Sequence, residues 1–255
     1  MSWASRRRTV YAGGVVLFFA VVVGVPLAFF LYQAPTCFDG KQNQGETGID
    51  LGGPCQALNS EELQPEVVMW ARAFKVRSGE YAAIAYIQNP NRNAAAVKVP
   101  YHFSFYDSSN VIVAERSGVV TIMPGGITPV YEGQLMTGNR NISRTFFEFT
   151  DSVHWLRAGN PTAALMTGDV KTNITTTAAS VSANIRNTDI TKRDNVTVIA
   201  VAFDNLGNAF AASRTFIESL AGDESRRIVF TWPEGFPEPP VRTDIIPVMM
   251  PELEE

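Results

Sequence analysis

The chain has 255 residues, and its composition of 45% hydrophobic and 18% charged residues excludes wholesale disorder. This length allows one or two folded domains. Three arginines, residues 6–8, precede all other charge. Beyond residue 32 the remaining 18 of the 21 basic residues are outnumbered by 25 acidic residues, a net charge of −7. A nucleic-acid surface needs a clustered basic excess, so we expect no nucleic-acid partner.

An apolar segment follows the arginines directly, with 23 uncharged residues at positions 10–32. At a rise of about 1.5 Å per residue, a helix of this length crosses a hydrocarbon core of about 30 Å. We interpret residues 9–32 as an uncleaved transmembrane helix. The alternative, a cleaved signal peptide, has a shorter apolar run of about 7–15 residues. Because positive residues stay cytoplasmic, we expect residues 1–8 inside and the bulk of a single-pass membrane protein outside.

The only two cysteines, Cys37 and Cys55, lie just after this segment. In an oxidising compartment such a pair predicts a disulfide, and closing a loop of this length contributes about 3 kcal/mol in the chain-entropy model. We therefore predict a disulfide-stapled juxtamembrane linker over residues 33–64.

The loop between the cysteines carries oxygen side chains separated by glycines, a composition that suits a hard cation such as calcium. The candidate ligands are Asp39, Asn43, Glu46 and Asp50. The pattern is not an EF-hand, since Lys41 occupies the third-ligand position. We expect no cofactor and a polar spacer here, with a calcium site as the alternative.

This loop resembles a short Cys-x-Asp-Gly…Glu-x-Gly-x-Asp-Cys-Gly-Gly-x-Cys element that follows the anchor in bacterial surface proteins. It is distantly similar to the calcium-binding repeats of thrombospondin type. Leu51 stands where that element carries an additional cysteine. The resemblance implies an address at the cell surface.

The rest of the chain repeats itself at a spacing of about 97 residues, which suits a whole small domain. Ile87-Gln88-Asn89 recurs as Ile185-Arg186-Asn187. Apolar residues alternate with polar ones in both copies, as in strands with one buried face. We predict an all-β protein with two tandem antiparallel β-sandwich modules, at 65–157 and 162–248, and a frayed acidic tail at 249–255.

The first copy also contains Phe103-x-Phe105-Tyr106-Asp107, which resembles the signature of the FxLYD-type domain. The second copy keeps only Phe203-Asp204 of it. The resemblance implies immunoglobulin-like sandwiches of a prokaryotic envelope protein. By this resemblance the aromatic residues fill the core and the aspartates form turns, so their implied role is structural.

Sequence motifs for catalysis are lacking: the chain has no Gly-x-Ser-x-Gly elbow or phosphate-binding loop, and His102 and His154 have no zinc-ligand spacing. We expect neither an enzyme nor a small-molecule substrate. The predicted function is a non-catalytic envelope protein that binds or scaffolds a protein partner in a surface assembly. The alternative is a calcium-dependent adhesin or sensor that uses the 37–55 loop.

Overall fold

The computed structural model describes residues 3–32 and 34–254. Residues 1 and 2 of the predicted cytoplasmic segment, residue 33 of the predicted linker and residue 255 of the predicted tail lie outside this described part. Helix α1, Trp3–Leu31, is apolar and exposed, and its Arg6–Leu31 portion is long enough to cross a membrane. It includes Pro26, which spanning helices tolerate.

Strands make up most of the chain after the helix, which confirms the prediction of a β-rich chain behind one N-terminal apolar helix. Short 3₁₀ helices lie at Ser60–Glu62 and Pro161–Ala164. The first half contains β1 (Val67–Arg77), β2 (Glu80–Asn89), β3 (Ala94–Tyr106), β4 (Ile112–Ile122), β5 (Gly126–Met136), β6 (Arg144–Phe149) and β7 (Leu156–Gly159). The second half contains β8 (Leu165–Ile174), β9 (Ala179–Asn187), β10 (Arg193–Phe203), β11 (Ala209–Leu220), β12 (Ser225–Trp232), β13 (Arg242–Val248) and β14 (Glu252–Leu253).

The two halves share one pattern of strand pairing. In the first half β1-β2-β5 form one sheet, and β3 pairs with β4 and β6 in the other. In the second half β8-β9-β12 and β11-β10-β13 repeat this arrangement. Every strand pairing among the described residues is antiparallel. The internal sequence repeat therefore corresponds to a repeat of six paired strands.

Each half has its own apolar core between its two sheets. In the first half the core contains alternate residues of β2 and the aromatic residues of β3, including Tyr101, Phe103 and Phe105. In the second half smaller residues of β9 and β10 pack against Phe230 and Trp232 of β12. The apolar residues that recur at every second position, as predicted, are thus the ones that fill these cores.

A third core lies between the halves, where sheet β1-β2-β5 packs on sheet β11-β10-β13. We call it the interface core; its buried members are Phe74, Ile84, Tyr86, Ile199, Val201, Phe203, Ala209 and Ala212. The ring centroids of Trp70 and Tyr86 are 4.4 Å apart, and each lies 6.3 Å from that of Phe203. Strands β2 and β10 are therefore buried on both faces, which a one-sided alternation did not predict.

Polar contacts surround the interface core. Arg72 donates a hydrogen bond of 2.9 Å to the carbonyl of Ala209, and the Tyr86 hydroxyl donates one of 3.2 Å to Asp244. Burial raises the pKa of Tyr86, and the carboxylate of Asp244 adds to the shift because it would repel a phenolate. The hydroxyl stays protonated and keeps donating across the junction.

Each half is also fastened by a fully buried asparagine at the last position of its second strand. Asn89 donates to the carbonyls of Ala94 (2.7 Å) and Met123 (2.8 Å). Asn187 donates in the same way to Thr191 (2.8 Å) and Ala221 (3.0 Å). The recurring asparagine of the sequence repeat therefore joins loops from different strands within each half.

The predicted frayed tail differs from the structure. Glu252 and Leu253 form β14, which pairs with Gly159 and Ala158 of β7. The side chain of Glu252 forms an ion pair with Arg193, which is only 8% exposed and also holds Asp189 at 2.7 Å. A nearly buried guanidinium needs carboxylate partners. The ion pair with Arg193 therefore orders the C-terminal segment, whose acidic and proline-containing composition predicts a frayed end.

The interface core predicts a large effect of truncating its central aromatic residue. Phe203→Ala should lower the free energy of unfolding by about 3–5 kcal/mol, because a buried ring is replaced by a cavity. The matched control is Phe216→Ala, an exposed phenylalanine on the next strand, which should stay within about 0.5 kcal/mol of the parent. Urea unfolding followed by tryptophan fluorescence measures both. Equal effects of the two substitutions would show that the halves are energetically independent.

Candidate functional site

The two cysteines are joined in the structure, which confirms the predicted disulfide. The Cα atoms of Cys37 and Cys55 are 5.5 Å apart, and Cys55 is 1% exposed. We call residues 37–55 the disulfide loop. It contains every metal ligand that the sequence suggested, so it is the candidate site.

The carboxylates of this loop are bonded to backbone N–H groups. The Asp50 carboxylate accepts hydrogen bonds from the N–H of Asp39 (3.1 Å) and of Gly40 (3.0 Å). Asp39 accepts from the N–H of Lys41 and the side-chain amide of Asn43, both at 2.9 Å. The Asn43 bond is the main cause that lowers the pKa of Asp39. These bonds fold the loop on itself.

Glu46 occupies the inside of the loop and is 6% exposed. One carboxylate oxygen accepts a bond of 3.1 Å from the N–H of Asn43, and the other lies 3.2 Å from the Sγ atom of Cys55. Glu46 and the two sulfur atoms form a compact group. Both sulfurs belong to the disulfide and offer no thiolate, so this group is unsuited to a soft metal ion.

The four predicted calcium ligands are thus gathered in one loop. Their oxygen atoms serve mainly as acceptors for the loop backbone and for one another. An exception is Asn43, whose Oδ1 atom is buried without a hydrogen-bond partner among the described residues. Calcium binding would require Asp39 and Asp50 to exchange N–H donors for the ion, a choice that carboxylate oxygens permit.

The disulfide loop is attached to the first half rather than free. Arg157 donates a hydrogen bond of 2.6 Å to the carbonyl of Gly53, a residue 104 positions away. The N–H of Arg157 donates to Gln56, and the N–H of Leu58 donates to Trp155. Leu58 also packs on the core of the first half. The predicted linker at 33–64 therefore contains residues that belong to the folded body.

Strand β7 is the meeting point of three chain segments. It pairs with the start of β3 and with β14, and Leu156 bridges to Ala57. The side chain of Gln56 donates a bond of 2.9 Å to the carbonyl of Glu254. The chain entering from the helix is thereby bonded to the segment after the second half. Sequence reasoning placed Arg157 and Ala158 in or beside a connector and missed this junction, because backbone carbonyl acceptors leave no trace in side-chain identity.

Two adjacent glycines set the shape of the loop. Gly52 and Gly53 have positive φ angles of 71° and 55°. A Cβ atom on Gly53 would lie 2.4 Å from the carbonyl oxygen of Gly45, which is backbone and cannot move aside. The loop therefore closes only with glycine at this position.

A serine–histidine–carboxylate cluster lies on the outer face of the first half. The Nδ1 atom of His102 is 2.9 Å from Ser117 Oγ, and its Nε2 atom is 3.2 Å from Glu115. His102 and Ser117 are directly paired across β3 and β4. The Glu115 side chain is about half exposed, whereas an acid that orients a catalytic histidine is buried. The pairing register of β3 and β4 is enough to explain the cluster, which is a polar contact between neighbouring strands.

No protein-family model and no curated protein matches the chain. Solved structures with partial similarity include a β-glucuronidase from glycoside hydrolase family 2, with 12% identity and a TM-score of 0.24 over 68% of this chain and 24% of that chain. A red sea bream transglutaminase has 8% identity and a TM-score of 0.21 over 70% of this chain and 29% of that chain. The matched parts cover less than a third of these proteins, and at such scores the similarity carries no argument about fold or activity.

The closure of the loop can be tested at Gly53. Gly53→Ala should open the loop and expose Cys55, so that dithiothreitol reduces the disulfide faster than in the parent. Gly40→Ala is the matched control: Gly40 also has a positive φ, of 69°, but a Cβ atom there meets nothing within 4 Å. Mass spectrometry after alkylation gives the reduction rate. Similar rates in both variants would attribute the effect to backbone strain and not to the contact with Gly45.

Proposed function

We propose that this protein is a non-catalytic, single-pass membrane protein of the cell envelope. Its extracytoplasmic part, a pair of immunoglobulin-like β-sandwiches, binds or scaffolds a protein partner in a surface assembly. The observation that carries the proposal is the interface core, which holds two copies of one strand arrangement in a fixed relation behind an apolar helix. Fixed spacing of surfaces is what a scaffold needs.

Strand order supports the immunoglobulin-like assignment. Each half places its first, second and fifth strands in one sheet and its third, fourth and sixth in the other. The turns after the third strands are equivalent as well. Asp107 accepts bonds from the N–H groups of Ser109 and Val111, and Asp204 accepts from those of Leu206 and Asn208. The aspartates of the FxLYD-like signature thus act in turn formation.

The proposed address rests on two features. A disulfide persists in an oxidising compartment, outside the cytosol. The arginines at residues 6–8 lie at the N-terminal end of the apolar helix, and positive residues favour the cytoplasmic side. The β-rich part is then extracytoplasmic, on the far side of the membrane from the arginines.

Affinity capture from native membranes tests the scaffold role. The full chain should recover a specific protein partner, and that partner carrying its own tag should recover this chain. Phe203→Ala should lose most of the captured partner, because it weakens the fixed relation of the halves, while Phe216→Ala should retain it. Absence of a specific partner, together with turnover of an envelope substrate, would contradict the proposal.

A calcium-dependent adhesin or sensor is the second candidate. The buried and unpartnered Oδ1 atom of Asn43 favours it, since calcium would supply the missing partner. Calorimetry of the full chain should then show saturable heat on calcium addition, lost in Asp39→Ala and Asp50→Ala. Asp151→Ala, an exposed carboxylate outside the loop, should bind as the parent does. A flat titration of the parent would eliminate this candidate.

A further inference from the structure

The disulfide loop exposes two large apolar side chains. Phe38 is 93% exposed and Ile49 is 61% exposed. Ile49 lies at the tip of a small hairpin closed by the bridge between Gly48 and Leu51. The neighbouring Asp50 bonds to the N–H groups of Asp39 and Gly40, the residues directly after Phe38. Phe38 and Ile49 therefore flank one bonded junction of the loop.

This junction is close to the apolar helix along the chain. Helix α1 ends at Leu31, and Phe38 follows seven positions later. Seven extended residues span at most about 25 Å, so Phe38 cannot lie far from the end of the helix. Single exposed apolar residues are ordinary on a soluble surface. Beside a spanning helix, an exposed phenylalanine is instead of the kind that interfacial segments bury at the boundary of headgroups and acyl chains.

The charges of the loop favour an apolar contact over an electrostatic one. Its acidic residues Asp39, Glu46 and Asp50 outnumber its one basic residue, Lys41. Asp39 and Asp50 direct their carboxylates to backbone N–H groups, and Glu46 is buried. Contact with anionic headgroups therefore contributes little binding free energy, whereas the transfer of Phe38 and Ile49 out of water is favourable.

We propose that the disulfide loop rests in the headgroup boundary of the bilayer through Phe38 and Ile49. The lipid surface is then a second binding partner, beyond the hydrocarbon core that holds the helix. This inference rests on the proposed membrane anchor. Because Arg157 and Leu58 bond the loop region to the first half, seating the loop also sets the orientation of the folded body above the membrane.

Tryptophan fluorescence in vesicles of brominated phosphatidylcholine tests the proposal on the full chain. The parent carries Trp3→Phe, which removes the tryptophan of helix α1, and the other three tryptophans give a constant background. Phe38→Trp and Ile49→Trp report on the loop. The control is Val111→Trp, an exposed apolar residue in the turn after β3. The 13 residues of β3 extend about 40 Å and separate this turn from Ala94, which pairs with Arg157.

Flotation of the vesicles is measured first, because it tests the membrane anchor separately from the seating of the disulfide loop. If the chain does not float with lipid, both the anchor and the seating fail. If it floats, the emission from positions 38 and 49 should be blue-shifted and quenched by bromine. Quenching should be stronger for bromine near the headgroup than near the end of the acyl chain, because interfacial residues sit only about 5–10 Å deep. The control should be quenched by neither.

Two outcomes overturn the seating while leaving the anchor in place. One is flotation with emission at positions 38 and 49 as weakly quenched as that of the control. The other is quenching that appears only with phosphatidylglycerol in the vesicle and disappears in high salt, which indicates an electrostatic contact. Each variant is checked for its disulfide by alkylation and mass spectrometry. Ile49→Trp decides the test if Phe38→Trp does not form the disulfide.

Discussion

The interface core is the contact on which the rest of the arrangement depends. Without it, β2 and β10 would each expose one apolar face, and the halves would be joined by the short connector after β7 and by the pairing of β14 with β7. Its aromatic members come from both halves, Phe74 and Tyr86 from the first and Phe203 from the second, and Trp70 packs against them. The bonds of Arg72 and Tyr86 across the junction then find their partners at fixed positions. Burial on both faces therefore couples the two halves, since the apolar sheet face of each half is covered only by the other.

The packing of the halves is front to back. The first half contributes sheet β1-β2-β5, whose counterpart in the second half, β8-β9-β12, faces away from the junction. A contact between two different faces can repeat, so further copies could add at either end unless the outer faces prevent it. Here the outer faces carry polar residues, including His102 and Ser104 on β3 and Asn184 and Arg186 on β9, beside exposed apolar ones such as Phe146 on β6 and Val229 on β12. The polar residues of these faces oppose the stacking of a further half, as the polar outer faces of terminal repeats do.

The sequence made the local features predictable and left the distant ones hidden. Alternation along β9 and the recurring Asn89 and Asn187 are local patterns, so strands, turns and the repeat could be predicted. The interface core left a signal, because Ile199-Ala200-Val201-Ala202-Phe203 is apolar without alternation, as in a strand covered on both faces. The bond from Arg157 to Gly53 left none, since any residue supplies a carbonyl. In the disulfide loop the sequence could group the four oxygen-bearing residues, but it could not predict which backbone N–H groups they bind.

For a chain anchored by helix α1 as we propose, the disulfide also limits how far the folded body can move from the bilayer. Without the bond, the 27 steps between successive Cα atoms from Leu31 to Leu58 could extend to about 95 Å. The Cys37–Cys55 bond bypasses the loop and leaves nine extensible steps plus a crossing of 5.5 Å between Cα atoms, a leash of about 40 Å. Anchored in this way, an oxidised chain would stay within a thin shell above the membrane, where its local concentration toward neighbouring proteins is higher than a free spacer would allow.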